Sequence, residues 1–535
     1  MHQWCNPHPH FRRSLRFRVL EAHKMIDILY RRAFSLTRTA SSYCAFLAVF
    51  LLLIANMESA TASCQSPSAA YNYLKHNLSP ASQVILANES NLTNAAITQR
   101  WNVFDAPAYI LYAKPASNED VKKIVDYAAA QKIPFLAIGG GSGYTNSTAA
   151  VKGAIGVDLG FFRDISIDAA NNRMTIGGGV NFSDIFDPLH SVGKEMQTGS
   201  CSCVGVVGAT LGGGVGPYQG LHGLILDALE SATIITGSGE IVNASESENS
   251  DLFWGLRGAG QNFGIVTSAT YQIHDQTNGG VALNGDFIFA KSDGETIFNL
   301  IKTIQNNGQP NELSMFPSIM YDMQTNATVV MMSLIYVGPE EEGMQYLQPF
   351  IDNNPIRKSV GLLPWNKLIK ENRFGADAYA CLKGGNHAVY GLNVNYFDVA
   401  TYVDLIDQFD AFYAQNPALI ASLLVLELFP NAVTKSVPDD ATAYPYRDSL
   451  GYMFLSFVFS DEATAAVAEK FALATRAKLV ATGSKDGVLT VYVNYAHGDE
   501  GRVAWYSERK LPKLLSLKSR WDPKTLFNWT NGLIQ

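Results

Sequence analysis

The chain has 535 residues, enough for two or more domains with a substantial core, and 47% of its residues are hydrophobic. Only 16% are charged, and the net charge of −8 with a pI near 5.7 argues against a nucleic-acid partner. No block of lysine and arginine and no basic amphipathic segment follows residue 65.

The N-terminal region has the order of a secretory signal. Arginine-rich sequence at Arg31–Arg38 leads into the apolar stretch Tyr43–Ala55, and then into small residues at Glu58–Ser63. Charged, apolar and small-residue parts in that order predict export, with cleavage near Ala62 or Ser63. The apolar stretch is short for a bilayer span, so no stable membrane anchor is expected.

The first 24 residues are unusual for a signal peptide, which leaves Met25 as an alternative start.

Glycosylation sequons agree with export. Sequons of the form N-x-S/T mark surface positions in secreted proteins. Eight occur here, opened by Asn77, Asn88, Asn91, Asn146, Asn181, Asn243, Asn326 and Asn528.

The cysteines left after cleavage allow at most two disulfides. Of Cys64, Cys201, Cys203 and Cys381, Cys64 at the mature N-terminus is the first candidate for a bridge. We interpret Cys203, two residues after Cys201, as structural or as paired with Cys64 or Cys381.

In chain order, helical sequence and an extended region at Val103–Pro115 open the mature protein. Residues Ser117–Ile133 then predict an amphipathic helix, with Ser117 placed to cap it and acids in its first turn. Further helices are predicted at Phe182–Val192, Asp251–Arg257, Ser292–Asn306, Ala400–Gln415, Asp461–Thr482 and Trp505–Arg520. Strands are predicted at Ile133–Ile138, Ala154–Leu159, Ile165–Ile167, Met174–Ile176, Ser231–Thr236, Gly239–Val242, Ile265–Ile273, Gly280–Ala290, Ala327–Tyr336, Ala388–Asn395 and Val488–Tyr495.

Four glycine-rich turns punctuate the first half, at Gly139–Gly143, Gly177–Gly179, Gly199–Gly216 and Gly258–Gly264. The longest, Gly199–Gly216, should not form an ordinary helix, since each interior glycine costs about 1 kcal/mol relative to alanine. Turned backbone with free N–H groups holds pyrophosphate and planar rings closely. The four turns therefore predict one large ligand gripped by main chain, the alternative being a loop-rich β protein.

An ordered set of motifs resembles the berberine-bridge-enzyme-like flavoprotein oxidases, within the vanillyl-alcohol-oxidase type (PCMH-type) of FAD-binding fold. Within that family the chain is most similar to fungal secondary-metabolism oxidases. The motifs run in family order from about residue 105 to the C-terminus. They are KPASNEDVKKIVDYA, IGGGSG, VDLGFFRDISID, MTIGGGV, TGSCSCVGVVGATLGGGVGPYQGLHGLILD, DLFWGLRGAGQNFGIVT, YVNYAHGDE and WDPKTLF.

The resemblance implies an α+β fold with a two-subdomain PCMH-type FAD-binding domain and a substrate domain whose large antiparallel sheet is backed by helices. After residues 1–63, the N-terminal extension and signal, it places a lead-in at 64–104 and the FAD-binding domain at 105–275. The substrate domain then spans 276–490, and a berberine-bridge-like segment at 491–535 returns to the FAD domain.

The reaction implied by the resemblance moves a hydride from a small, fairly apolar substrate to flavin N5, with O2 as acceptor and hydrogen peroxide as product. FAD supplies the redox chemistry, and the protein supplies position, a base and electrostatics. The family motifs place the FAD contacts at Gly139, Gly140, Gly141, Ser142, Gly143, Gly199, Cys201, Val204, Gly205, Gly208, Gly214, Gly264, Ile265, Val266 and Asn494.

One position departs from the family pattern. Where relatives carry the histidine that is linked to the flavin 8α-methyl group, this chain has Ser142. Cys201 falls where bicovalent members have the cysteine that bonds flavin C6, against the simpler interpretation of a small buried side chain. Three outcomes stay open: a single cysteinyl link, noncovalent FAD, or a protein without ordinary oxidase activity.

The resemblance also supplies a base. In relatives a tyrosine at the position of Tyr495 deprotonates the substrate, and Tyr492 is the second candidate on the same predicted strand, or a packing residue. A tyrosine pKa near 10 makes a weak base, so the site would have to lower it.

The alternative functions are a non-redox cyclase or scaffold on a flavin fold and, less favoured, a carbohydrate oxidase. No histidine or acidic cluster has metal-ligand spacing, so no metal site is predicted. The sequence names neither the substrate nor the oligomeric state.

Overall fold

The computed structural model describes residues 67–87 and 96–534. The predicted signal, Cys64 and the sequons at Asn88 and Asn91 lie outside the described residues. The chain divides into two compact units, Met1–Asn72 and Tyr73–Gln535. Residues 67–72, the start of helix α1 (Pro67–Asn77), are the described part of the first unit, and the architecture below is that of the second.

The first sheet has the strand order β1-β2-β4-β3, with β2, β4 and β3 parallel and β1 antiparallel at the edge. Helix α2 precedes β3, and Ser117 caps it by accepting a hydrogen bond from the Asp120 N–H. This confirms the predicted helix and cap, and it puts the Gly139–Gly143 turn at the carboxyl end of β3. The elements are β1 Gln83–Leu86, β2 Ala108–Lys114, α2 Asn118–Gln131, β3 Phe135–Ile138 and β4 Lys152–Asp158.

The second sheet is antiparallel, in the order β5-β6-β10-β8-β9, and the strands predicted at Ser231–Thr236 and Gly239–Val242 correspond to its pair β8–β9. A separate short pair joins β7 to β11. The strands are β5 Ile165–Asp168, β6 Arg173–Gly177, β7 Lys194–Glu195, β8 Leu229–Thr236, β9 Ile241–Ser245, β10 Gly264–Gln272 and β11 His274–Asp275. The helices are α3 Phe182–Ser191, α4 Val206–Gly212, α5 Gln219–His222 and α6 Ser250–Ala259.

Helix α4 corrects one expectation, because the glycine-rich run does contain a helix. The helix ends at Gly212, where glycine is required in spite of its low helix propensity. A Cβ on Gly212 would lie 2.2 Å from Oδ1 of Asn494, so only glycine lets that side chain pack there. Close packing against a distant segment therefore outweighs the cost of placing glycine instead of alanine in a helix, which is about 1 kcal/mol.

The third sheet has seven antiparallel strands in the order β15-β12-β14-β13-β17-β18-β16. Four of its strands were not predicted: β13, β15, β17 and β18. The strands are β12 Val281–Ala290, β13 Leu313–Asp322, β14 Ala327–Tyr336, β15 Arg357–Pro364, β16 His387–Val394, β17 Leu423–Glu427 and β18 Gly451–Val458. The helices from here to the C-terminus are α7 Gly294–Asn306, α8 Glu340–Asp352, α9 Trp365–Gly375, α10 Asp377–Ala380, α11 Val399–Gln415, α12 Ala432–Ser436, α13 Glu462–Gly483, α14 Arg502–Tyr506 and α15 Leu511–Trp521.

The two faces of the third sheet have different partners. One face packs on the helices: Phe287 and Met315 share a buried cluster with Phe298 of α7 and Phe409 of α11. The alternate residues face the second sheet, since Phe316 belongs to a buried cluster that also contains Ile234 and Tyr271 of that sheet. This matches the predicted α+β fold with a large antiparallel sheet backed by helices.

Two predicted elements near the C-terminus are wrong. Residues 488–492 form no strand, and Val493–Tyr495 is a 3₁₀ turn. The segment forms no ladder with the neighbouring edge strand, His387–Val394, and is held by single bonds, as when Tyr492 N–H donates to the side-chain Oδ1 of Asn393 at 3.0 Å. The predicted helix Trp505–Arg520 is two helices, α14 and α15, separated at Ser507, whose φ of 61° cannot continue a helix.

The predicted domain boundaries at residues 105, 275 and 490 stay a prediction. Among the helices of residues 67–87 and 96–534, none has the length and apolar composition needed to cross a bilayer.

Candidate active site

The Gly139–Gly143 turn presents free backbone donors. Within the described residues, none of the N–H groups from Gly140 to Tyr144 donates a hydrogen bond. A Cβ on Gly140 would lie 2.5 Å from the Gly205 nitrogen, so the turn touches the start of α4. Beside them Oδ1 of Asn181 is buried without a partner. Successive unpaired N–H groups make a concavity suited to a phosphate.

The second glycine-rich segment lies against this turn. Within the described part of the chain, the N–H groups of Cys203, Val204 and Gly205 donate no hydrogen bond, which extends the row of free donors. Gly208 is exposed on α4, and a Cβ there would meet nothing within 4 Å. A Cβ on Gly199 would instead lie 3.2 Å from the Phe182 ring.

The other predicted FAD-contact glycines are explained by packing within the protein. Gly214 has a φ of 83° and would place a Cβ 2.4 Å from Cβ of Ile225. Gly264 lies in β10 with Ile265 and Val266, where a Cβ would meet the Ile235 carbonyl oxygen at 2.3 Å. The side chains of Ile265 and Val266 are buried in the sheet.

In two of the four glycine-rich turns the glycines are required by contacts within the protein, and they do not border an open surface. A Cβ on Gly178 would lie 2.4 Å from the Val266 carbonyl oxygen, and one on Gly258 would lie 2.3 Å from the Tyr444 nitrogen. The prediction that all four turns grip one ligand is therefore too broad. The turns at Gly139–Gly143 and at the start of α4 are the ones with free donors.

Cys201 is a free thiol at the edge of this region, whereas Cys203 is bonded to Cys381. The disulfide confirms one of the two pairings proposed for Cys203. Burial raises the pKa of the Cys201 thiol to about 11, against the opposing positive charge of Arg373. Ser142 lies in the Gly139–Gly143 turn and is half-buried.

Tyr492 and Asn494 come together although the strand predicted for them is absent. Asn494 Nδ2 donates to Tyr492 Oη at 2.8 Å and to the Ala209 carbonyl of α4 at 3.0 Å. Tyr492 Oη also accepts from the Gly214 N–H at 2.9 Å. Burial is the largest cause that raises the pKa of Tyr492. These bonds tie the C-terminal turn to α4 and give Tyr492 a positioning role.

On the third sheet, the site contains a buried carboxylate, Glu427, that the sequence did not reveal. Glu427 ends β17 and is 1% exposed. Its Oε2 accepts a hydrogen bond from Tyr495 Oη at 2.7 Å, and its Oε1 accepts one from Ser200 Oγ at 2.6 Å. The chain Tyr495–Glu427–Ser200 thus connects the C-terminal turn, the third sheet and the residue before Cys201.

The pKa values of Glu427 and Tyr495 are both raised. Burial raises the pKa of Glu427, against the hydrogen bonds from Ser200 and Tyr495 and the charge of Arg373. Burial and then the negative charge of Glu427 raise the pKa of Tyr495 well above its ordinary value. The condition stated for Tyr495 as a lone base, a lowered pKa, is therefore not met, and a proton acceptor here has to include Glu427.

A strap at the end of α9 covers residues 200–203 and was also missed. We define the strap as residues 372–383. Within it Arg373 donates to the Ser200 carbonyl, Asp377 accepts from the N–H and hydroxyl of Ser202, and Cys381 is bonded to Cys203. Lys383 also donates to the Gly140 carbonyl. A lone acid in the apolar stretch LLVLEL was the available signal for Glu427, whereas nothing in the sequence pairs the strap with its partners.

These observations fit FAD. The free N–H groups beside Gly140 and Gly205 can hold the pyrophosphate, and Cys201, Tyr495 and Asn494 lie where the segments predicted to contact the ring converge. Among the described residues, no group of three or more histidines, cysteines and acids could hold a metal ion.

Comparison with known proteins agrees with this site. The FAD binding domain family matches residues 109–245, and the berberine and berberine-like family matches residues 491–534. The chain is similar to the FAD-linked oxidoreductase azaL of Aspergillus niger, with 38% identity over 88% of this chain and 99% of that protein. It is also similar to tazG of Aspergillus terreus, with 40% identity over 85% and 92%.

Solved structures share the fold. Physcomitrella patens BBE-like 1 superposes with a TM-score of 0.74, 21% identity and coverage of 87% of this chain and 99% of that one. The glucooligosaccharide oxidase of Acremonium strictum, described with a 6-S-cysteinyl, 8α-N1-histidyl FAD, gives 0.74, 21%, 88% and 99%. The chain therefore belongs to the berberine-bridge-enzyme-like family of FAD-linked oxidoreductases and is an FAD-dependent oxidoreductase.

Proposed function

We propose that the protein is an oxidase that takes a hydride from a small, fairly apolar, secondary-metabolite-type substrate and uses O2 as the acceptor. The observation that carries this proposal is the buried chain Tyr495–Glu427–Ser200, which ends beside Cys201. It provides a proton acceptor next to the segments predicted to bind the flavin. The curated relatives are named FAD-linked oxidoreductases, and their similarity supports the reaction class.

The residues of the chain handle the proton. FAD, when bound, supplies the acceptor for the hydride. A substrate hydroxyl or amine that donates to Tyr495 Oη can lose its proton while Tyr495 passes its own proton to Glu427 Oε2, 2.7 Å away. Ser200 donates to the other oxygen and stabilises the ionised form of Glu427 before it accepts the proton. Tyr492 and Asn494 hold the turn that carries Tyr495.

For the cofactor we propose attachment through Cys201 alone. Ser142 occupies the family's histidine position, and a hydroxyl is a poor nucleophile beside an imidazole. Cys201 is a free thiol, whereas the neighbouring Cys203 is consumed by a disulfide. A single link is what these two positions allow.

We further propose that the protein is secreted or resides in the lumen of the secretory pathway. The disulfide between Cys203 and Cys381 is a bond that oxidising compartments favour. Of the described sequon residues, Asn77, Asn146, Asn243 and Asn326 are exposed, as glycosylation requires.

Acid precipitation of the purified protein tests the attachment. Yellow colour is expected in the pellet of the wild type and in the supernatant of Cys201→Ser. Colour in the supernatant of both would mean noncovalent FAD and would refute the single link. A colourless protein that takes up no added FAD would refute the oxidase and favour a non-redox cyclase.

A further inference from the structure

The strap carries a cation in a conformation that the backbone resists. Arg373 and Phe374 both have positive φ, 53° and 55°. A non-glycine residue in the left-handed region is disfavoured and persists where its surroundings hold it, which is common at functional sites. Asp286 of β12 holds this one, because its Oδ2 accepts the Phe374 N–H at 2.8 Å.

The turn aims the Arg373 guanidinium at the candidate active site. The guanidinium donates to the Ser200 carbonyl, and its central carbon, Cζ, lies 5.1 Å from the Phe316 ring centroid. Phe316 is on the face of the third sheet that packs toward the second sheet. Arg373 thus lies between the residue preceding Cys201 and the sheet that carries Glu427.

Arg373 has no carboxylate partner. Among the described residues, no acid has an oxygen within 4.0 Å of its guanidinium, although the side chain is half-buried. Arg357 makes a useful contrast: its guanidinium stacks on the Phe374 ring at 4.7 Å and is paired with Asp322 at 3.2 Å. Arg373 Nε also donates to Asn372 Oδ1 at 3.3 Å, so the N–H groups of Nη1 are those left for an acceptor. A partly buried guanidinium without a carboxylate partner calls for one.

Unpaired polar atoms lie in the same row of the sheet. Asp286 of β12 is directly opposite Ser333 of β14, which is opposite Phe316 of β13, so the three side chains share one face. Asp286 Oδ1 and Ser333 Oγ are buried without partners, and so is Ser318 Oγ one row away. In the next row Ile288 and Met331 pack together, with Ser318 opposite Met331.

We propose that Arg373 anchors the substrate through an anionic oxygen, a carboxylate or an acidic enol or phenol, while the apolar part of the substrate lies along the sheet. This inference rests on the proposed function, since it names the class of substrate for the same site. The oxygen accepts from the free N–H groups of Arg373, and the carbon to be oxidised lies toward Tyr495 and Glu427. Substrates without an acidic oxygen bind weakly.

The test uses benzoate and its neutral analogue benzamide as probes on the purified protein, with binding followed by calorimetry. Wild type is expected to bind benzoate about ten- to a hundredfold more tightly than benzamide, as for a charge-assisted pair of hydrogen bonds. Arg373→Gln should abolish the preference, and Arg373→Lys should keep part of it. The matched variant Arg357→Gln should keep it in full, because Arg357 already has a carboxylate partner.

Equal affinity for the two probes in wild type would overturn the inference, as would a preference that survives Arg373→Gln. Wild type with the two probes and Arg373→Lys give the answer even if Arg373→Gln does not fold. Calorimetry reports probe binding without relying on flavin colour. A flavin-free protein that takes up no FAD therefore counts against the proposed function, whereas absence of anion preference counts against this inference alone.

Discussion

Removing the Cys203–Cys381 disulfide should loosen the strap and lower the melting temperature. The bond closes a loop of 178 residues. Loop-closure entropy for a loop of this length corresponds to about 5 kcal/mol of stability at 25 °C. With an unfolding entropy of about 2.1 cal/mol/K per residue over the roughly 460 described residues, this converts to a loss of about 5 °C.

The assay is thermal unfolding of wild type and of Cys203→Ser/Cys381→Ser, which leaves no unpaired thiol from the bridge. Reducing agent should lower the melting temperature of the wild type but not that of the double variant. A double variant that melts within about 1 °C of wild type would refute the reasoning.

Three further changes probe the site itself. Glu427→Gln should slow anaerobic flavin reduction in stopped-flow by about 10²–10⁴-fold, the usual contribution of a general base, and Tyr495→Phe should slow it too; unchanged rates would remove both from the mechanism. Because burial raises the pKa of Glu427 and the base must be ionised, kcat/KM should fall toward acid with a midpoint above the ordinary glutamate pKa, and a midpoint at or below it would contradict this assignment. Gly140→Ala, whose Cβ would lie 2.5 Å from the Gly205 nitrogen, should yield protein with little bound FAD, whereas Gly143→Ala, with nothing within 4 Å, should bind FAD normally; equal flavin content in the two would argue against the turn as the phosphate site.

Local signals in the sequence located many elements of the first half of the fold, although not helix α4. The amphipathic helix capped by Ser117, the short strands and the glycine turns depend on neighbouring residues, and the structure has them within a few positions. The stretch Val488–Tyr495 failed because it meets the edge strand β16 at one residue, Asn393, whose N–H donates to the Thr490 carbonyl at 2.8 Å, and it forms no ladder there. Its N–H groups bond to single distant acceptors such as Asn393 Oδ1 and the Ala504 carbonyl.

The chemistry of the site depended on contacts that no local pattern contains. The family resemblance located Tyr495 and Cys201, but Glu427 reaches Tyr495 across 68 positions and Ser200 across 227. Arg373 meets Ser200 only because a strained turn and the strap place it there. Glycine is similarly ambiguous in sequence: at Gly140 it borders a row of free donors, whereas at Gly258 it accommodates Tyr444.

The measurement that tests the central claim most directly is anaerobic addition of substrate to the yellow protein, followed by admission of air. We predict that the visible flavin band bleaches as product forms and returns with release of hydrogen peroxide, and that Glu427→Gln bleaches far more slowly. Product formed while the flavin stays oxidised would contradict the account and assign the protein to non-redox chemistry.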